Sequence, residues 1–97
     1  MDGREFEAMA KAAVVGYWNE EMIPAGVTVR KDLISEENVI IVWQSKVLQN
    51  NKAMLIVDDF GPQYFEVTYN GDKDEFYLDF YVKKGNAVIP VVREEEE

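Results

Sequence analysis

The chain contains no cysteine and no histidine among its 97 residues. Without cysteine there can be no disulfides, thiolate nucleophiles or cysteine-based metal sites, and without histidine the usual general base and the commonest metal ligand are missing. Catalysis would have to rely on carboxylate, lysine, tyrosine or hydroxyl groups, which is uncommon in so small a domain. These absences predict a protein that is not an enzyme and that holds no metal or other cofactor.

Long hydrophobic runs are also missing. The longest apolar runs, such as Val39–Trp43, are far shorter than the roughly 20 residues that a membrane-spanning helix needs. The N-terminal residues do not combine a basic stretch with an apolar one, as a secretion signal does. The sequence therefore predicts a cytoplasmic protein with no membrane partner.

Basic residues are few, and the excess of acid is large. Ten lysines and arginines stand against nineteen aspartates and glutamates, which gives a net charge of −9 and an isoelectric point near 4.4. The acidity is concentrated between Asp58 and Asp79 and in the terminal run Glu94–Glu97, which is expected to be a disordered tail. Because binding to phosphates requires a basic patch, direct nucleic-acid binding is not expected.

The length and composition predict a single globular α+β domain over residues 1–93. Its first element is an amphipathic helix over Gly3–Ile23, which Asp2 caps and Pro24-Ala25-Gly26 ends. One apolar stripe on this helix is expected to face the sheet. Its members are Phe6, Met9, Ala10, Ala13, Val14 and Tyr17.

A second apolar line lies off that stripe near the end of the helix, at Val15, Trp18 and Met22. Two interpretations are open. Either the sheet or the connecting segment 24–37 covers these side chains, or they form an oligomer or second interaction surface.

The rest of the chain alternates as strands do and predicts an antiparallel sheet of about five strands, one face of which the helix covers. Asn70-Gly71 between alternating segments is the strongest hairpin signal. Pro90 cannot donate to a ladder and therefore places the last strand at an edge. The candidate strands are a short edge strand from Val27 to Ile34, a central strand Val39–Val47, then Lys52–Val57, Tyr64–Tyr69, Glu75–Val82 and Ala87–Val92, with a loop at Asp58–Pro62.

Alternation also separates the two faces of the predicted hairpin. Phe65, Val67 and Tyr69 share one parity and are expected to face the helix. The opposite face mixes tyrosines with carboxylates, a combination that suits a partner-binding surface but also arises from the strand propensity of tyrosine alone. The candidate partner-binding residues are Tyr64, Glu66, Tyr77, Asp79 and Tyr81.

One mildly basic polar stretch runs from Trp43 to Lys52. Its amides, hydroxyl and lysines have the chemistry to bind an anionic or polar ligand, and equally the composition of an ordinary hairpin end. The candidate ligand contacts are Trp43, Ser45, Lys46, Asn50 and Lys52.

The strings Trp43–Ala53 (WQSKVLQNNKA) and Tyr64–Lys73 (YFEVTYNGDK), followed by Glu75, Tyr77, Asp79 and Tyr81, resemble a small uncharacterised family encoded by phages and prophages of Gram-positive bacteria. The family has no established activity, so the resemblance implies a setting, the host cytoplasm, rather than a mechanism. It favours a small acidic protein that binds and occludes a host protein, for example as an anti-defence inhibitor of a nucleic-acid-binding enzyme. The alternative is a domain that binds or sequesters a small, nucleotide-like ligand, as a homodimer or larger oligomer.

Overall fold

The computed structural model describes residues 1–28, 32–58 and 63–94. Its fold is α+β, as predicted: an N-terminal helical segment lies on one face of a four-stranded antiparallel sheet. The helical elements are α1 (Gly3–Tyr17), a π-helical turn (Trp18–Met22), α2 (Ile23–Ala25) and a 3-10 turn (Glu36–Asn38). The strands are β1 (Val39–Val47), β2 (Asn50–Val57), β3 (Gln63–Asn70) and β4 (Glu75–Val82).

The helical segment begins at the predicted residue, Gly3, and ends two residues later than predicted, because Pro24 and Ala25 still belong to α2 and Gly26 ends it. The side chain of Asp2 accepts a hydrogen bond from the Glu5 amide at 2.8 Å, which satisfies one of the free amides of the first turn. At the other end Gly26 adopts a left-handed φ of 70°, and the Val27 amide donates to the Met22 carbonyl at 3.2 Å. This closing pattern is typical of a helix that stops at glycine.

A π-helical turn begins at Trp18 and keeps Met22 in the core beside it. In a regular α-helix a spacing of four residues rotates the side chain by about 40° at each step. The wider turn, in which the Ile23 amide donates to the Trp18 carbonyl, offsets this drift. Both side chains are buried within the chain and Val15 is half-buried, so the oligomer surface predicted at these residues does not form. The buried residues of the segment recur every four positions, at Phe6, Ala10, Val14, Trp18 and Met22.

The sheet is a meander in the order β1-β2-β3-β4, which makes β1 an edge strand rather than the predicted central one. The strand expected before it is absent from the described residues 26–28 and 32–35, and residues 29–31 lie outside the described part of the chain. Instead, the Asn19 side chain accepts from the Ile34 amide at 2.9 Å and donates to the Ile34 carbonyl at 3.0 Å. This pair of hydrogen bonds fixes the connection to the helix, so the backbone there has no need of a neighbouring strand.

The inner face of the sheet forms the core together with α1. Phe65 lies at its centre, with ring centroids 6.2 Å from Trp18 and 5.3 Å from Phe80. The predicted parity is confirmed, since Phe65, Val67 and Tyr69 are all buried on this face. Of the predicted loop Asp58–Pro62, only Asp58 is among the described residues.

The predicted last strand, Ala87–Val92, is not formed. Described residues 83–94 contain no strand, and apolar side chains in this stretch are exposed, with Val88 at 89% and Val92 at 92%. We call residues 83–94 the C-terminal arm; the predicted tail from 95 onward lies outside the described residues. The radius of gyration is 16.7 Å, against about 12.5 Å for a compact domain of this length. The arm therefore lacks the turn that would fold it back onto β4.

Candidate protein-binding face

The outer face of the sheet, opposite α1, is left uncovered by the described residues except at one end, where Lys83 and Lys84 line a pocket together with Met54, Ile56 and Tyr64. Strand register fixes which side chains are neighbours there. Tyr64 lies opposite Tyr81, and Glu66 lies between Met54 of β2 and Asp79 of β4. The outer face thus carries one continuous set of side chains across all four strands, and its members are Ile40, Trp43, Ser45, Lys52, Met54, Ile56, Tyr64, Glu66, Thr68, Tyr77, Asp79 and Tyr81.

One half of this face is apolar and aromatic. The rings of Tyr64 and Tyr81 stack with centroids 4.9 Å apart and planes 8° from parallel. Trp43 is 44% exposed and Ile40 is 46% exposed, although both are large and apolar. Aromatic side chains on a sheet provide rigid contact area at low entropic cost, which is the composition expected at the centre of an interface.

Carboxylates and one lysine lie beside the aromatic half. Lys52 Nζ lies 3.0 Å from a carboxylate oxygen of Glu66. That hydrogen bond and the negative charge of Glu66 raise the pKa of Lys52, while the charge of Glu66 followed by partial burial raises the pKa of Tyr81. The Tyr77 hydroxyl donates to the Glu75 carboxylate, which raises the pKa of Tyr77. In each case the largest cause is a neighbouring carboxylate, that of Glu66 for Lys52 and Tyr81 and that of Glu75 for Tyr77.

The structure brings together all five residues predicted to bind a partner. Tyr64, Glu66, Tyr77, Asp79 and Tyr81 lie on adjacent strands of the outer face, on β3 and β4. Because they were chosen for their shared parity, their common face follows directly from strand geometry.

The residues predicted to contact a ligand are brought together only in part: Ser45, Asn50 and Lys52 line one pocket of about 210 Å³, whereas Trp43 and Lys46 do not line it. Lys46 points to the helix side, where its Nζ donates to the Met1 carbonyl at 3.2 Å. Asn50 lies at the hairpin end, and its side-chain oxygen accepts from the Gly71 amide at 3.0 Å. Trp43, Ser45 and Lys52 lie on the outer face. The stretch is therefore divided between two faces and a turn.

A β-bulge accounts for the position of Trp43. Ile41 pairs with Leu55 of β2, and Trp43 pairs with the next residue back along β2, Met54. Val42 is therefore an extra residue with no partner on β2, which defines a β-bulge. Without the bulge, Trp43 would share the parity of Val39 and Ile41 and face the core. The sequence pattern therefore did not indicate that Trp43 belongs to the outer face. The alternation of Lys52, Met54 and Ile56 was a usable signal for the β2 part of that face.

A metal-binding cluster and a membrane-spanning helix are both absent from residues 1–28, 32–58 and 63–94. No group of three or more acidic side chains in this part of the chain has the arrangement to hold a metal ion. No helix in the same ranges is both long and apolar enough to cross a bilayer.

The fold and this face define a small α+β domain in which a helix covers one side of an antiparallel sheet and the other side presents aromatic and acidic groups. The chain belongs to a family of unknown function, DUF6275, which it matches over residues 7–91. The match includes all four strands and most of α1. Comparison with curated proteins gave no match, and comparison with solved structures gave none.

Proposed function

We propose that this protein binds a partner protein through the outer face of its sheet and acts by covering that partner's working surface. The observation that carries the proposal is the exposed aromatic patch around Trp43, Tyr64 and Tyr81 on a face that the described residues leave open. Monomeric domains rarely expose large contiguous apolar patches, and such patches with a polar rim are typical of interaction sites.

Charge favours a basic partner. Glu66 and Asp79 lie side by side next to the aromatic patch, and the whole chain carries −9. An acidic protein is attracted to positively charged surfaces and repelled by nucleic acid itself. A surface that normally binds nucleic acid has the required chemistry, so we propose a nucleic-acid-binding host protein as the target.

The setting implied by the sequence resemblance is consistent with this proposal. In a phage or prophage, an acidic protein that covers the nucleic-acid site of a host defence enzyme would act as an anti-defence inhibitor. The same physical mechanism would serve for takeover of another host protein. In both cases binding is the activity, and no bond is made or broken by this chain.

The test compares three forms of the tagged protein in pull-downs from a Gram-positive host lysate, with quantitative mass spectrometry. The first is wild type, and the second carries Glu66→Lys and Asp79→Lys. The third carries Glu36→Lys and Glu37→Lys, which makes the same change in net charge at exposed positions outside the outer face. Circular dichroism confirms that all three are folded.

We expect a protein that wild type and the Glu36/Glu37 variant both capture and that the Glu66/Asp79 variant loses by tenfold or more. Raising the salt concentration, or adding nucleic acid as a competitor, should release the same protein, because both compete for basic groups. Equal capture by all three forms would show that the outer face is not the binding surface. Parallel loss in both double variants would mean that only net charge matters.

A further inference from the structure

A second open apolar surface lies on the inner face of the sheet, beside α1. The helix lies over β1, β2 and β3, so the inner side chains of β4 are incompletely covered: Phe76 is 37% exposed and Val82 is 50% exposed. Between helix and strand runs a groove of about 380 Å³, which we call the β4 groove. It is lined by Ala12, Ala13, Gly16 and Tyr17 of α1 and by Phe76 and Leu78 of β4.

The backbone next to this groove is open as well. β4 pairs with β3 on one side, and no strand of the described residues pairs with its other side. An unpaired strand edge offers a row of free amides and carbonyls to any extended segment that reaches it. An added strand would therefore gain backbone hydrogen bonds and place every second side chain in the β4 groove.

The C-terminal arm has the composition of such a strand and no partner within the described residues. Its central segment, Ala87–Val92, is apolar, with Ile89 at 84% and Val91 at 74% exposure. Six extended residues span about 20 Å, which fits along the eight residues of β4. Leaving these side chains in water forgoes the hydrophobic free energy that a groove of this kind supplies.

We propose that the arm of one chain adds as a strand to the β4 edge of a second copy, with its apolar side chains in that copy's β4 groove. The exchange is reciprocal, so each copy gives one arm and receives one. The arm cannot reach its own β4 edge without reversing direction at residues 83–86, and the described residues there contain no turn. Strand exchange of this kind uses the same contacts as an intrachain hairpin while the connection stays extended.

Charge complementarity identifies the second copy as the occupant. Lys83, Lys84 and Arg93 are three of the ten basic residues, and no acidic residue lies between 83 and 93, so the arm over these residues carries +3 and the remaining residues carry −12. The groove has acid at both ends. Glu20 and Glu21 line it at the end of α1, and Asp74 and Glu75 lie at the start of β4. Lys83 and Lys84 give the arm a basic start, which matches the acidic end formed by Glu20 and Glu21. Arg93 is followed by Glu94–Glu97, so the charge match is confined to the start of the arm.

Pro90 limits the assembly to a closed form. Alternate residues of a strand direct their backbone groups to opposite edges. When Ile89 and Val91 pair with β4, Pro90 faces the outer edge of the arm, and because proline has no amide hydrogen, that edge lacks a donor at its centre. A further strand cannot extend the ladder there. We therefore expect a dimer and not a fibre.

The test begins with the mass of the full chain in solution, measured by light scattering after size exclusion. We expect about twice the 11.2 kDa of one chain. Ile89→Asp in the arm should give the mass of a single chain. Leu48→Asp is the matched control: Leu48 is 82% exposed against 84% for Ile89, it lies in the β1–β2 turn, and its left-handed φ of 56° suits aspartate. This control should stay dimeric.

A groove variant completes the design. A Cβ atom at Gly16 would meet no atom within 4 Å, and Gly16 lines the β4 groove, so we use Gly16→Arg to place a long side chain in that groove. Circular dichroism checks that this variant is folded. It should also be a single chain in solution. An equimolar mixture of Gly16→Arg and Ile89→Asp should recover a heterodimer, because one chain still has its arm and the other its groove, with at least tenfold weaker association than wild type.

Three results would overturn the proposal. One is a wild-type mass of a single chain at millimolar concentration. Another is a dimer that survives Ile89→Asp. The third is loss of the dimer in both variants without recovery on mixing, since an interface elsewhere would not show complementation between arm and groove.

Discussion

Gly71 lies where the two hairpin ends of the sheet meet, and it has no room for a side chain. A methyl group there would lie 2.3 Å from the Gln49 carbonyl oxygen and 2.7 Å from the Gln49 Cβ. The same contact region holds a hydrogen bond of 3.0 Å from the Gly71 amide to Asn50 and one of 2.6 Å from Gln49 to Asp72. We predict that Gly71→Ala destabilises the fold because the two hairpin ends must separate.

The magnitude follows from opposing effects. Replacing glycine by alanine favours folding by about 0.4–1 kcal/mol, because the unfolded chain loses freedom. Overpacking against a backbone atom costs about 1–3 kcal/mol, and weakening an exposed hydrogen bond costs about 0.5–1.5 kcal/mol. The balance is a loss of about 1–3 kcal/mol, which lowers the melting temperature by roughly 5 to 20 °C in a domain of this size.

The assay is thermal unfolding followed by circular dichroism at one fixed protein concentration. Gly85→Ala is the matched control, because a methyl group there meets nothing within 4 Å. Its melting temperature should differ from wild type by no more than about 2 °C, since surface changes of this kind cost under about 0.5 kcal/mol. If the melting temperature of Gly71→Ala equals that of Gly85→Ala, the close contact between the hairpin ends does not exist in solution.

Three further predictions concern the core and one ionisable pair. Asn19→Ala removes both hydrogen bonds to Ile34 and should cost about 1–3 kcal/mol, measured by urea unfolding. Trp18→Ala empties a fully buried site and should cost about 3–5 kcal/mol, and a loss under about 1 kcal/mol by the same method would contradict its burial. The pKa of Tyr69 is raised, first because its hydroxyl donates to Asp74 and then because the side chain is buried. The stability that this hydrogen bond contributes is therefore fully present below the ordinary phenol pKa and is lost as the pH rises through the raised pKa of the folded protein. Asp74→Ala should therefore lower the pH at which Tyr69 ionises, because it removes both the acceptor and the negative charge, and ultraviolet absorbance of the phenolate follows that titration. An unchanged titration would exclude Asp74 as the cause of the raised pKa.

Much of the fold could be predicted because its signals are local. A side-chain period of two residues assigns Phe65 and Tyr64 to opposite faces regardless of how the strands are ordered. Asp2 and Gly26 mark the ends of the helical segment through groups that bond to the nearest turn. For the same reason the residues predicted to bind a partner on β3 and β4 lie on one face.

The rest depended on interactions that local patterns do not encode. The bulge at Val42 changes the face of Trp43 because one extra residue shifts the parity of the strand. The π-helical turn changes the direction of Met22 because the helix widens between Trp18 and Ile23. The segment Ala87–Val92 has a strand-like sequence and remains unpaired, since strand formation requires a partner edge as well as a suitable composition.

The two proposed surfaces use opposite faces of the sheet, and their tests can therefore fail separately. Glu66 and Asp79 lie on the outer face, so reversing their charges should leave the mass in solution unchanged. Gly16 lies on the helix beside the β4 groove, so filling that groove should leave the capture of a partner by a single outer face unchanged. The two surfaces are nevertheless linked through avidity. A dimer presents two outer faces, and once one face has bound a partner molecule, the other face binds a neighbouring partner molecule at a high effective concentration. Loss of the arm should then weaken binding to a surface crowded with partner molecules far more than it weakens binding to a single partner molecule in solution. Neither the outer face alone nor the β4 groove alone would produce this difference.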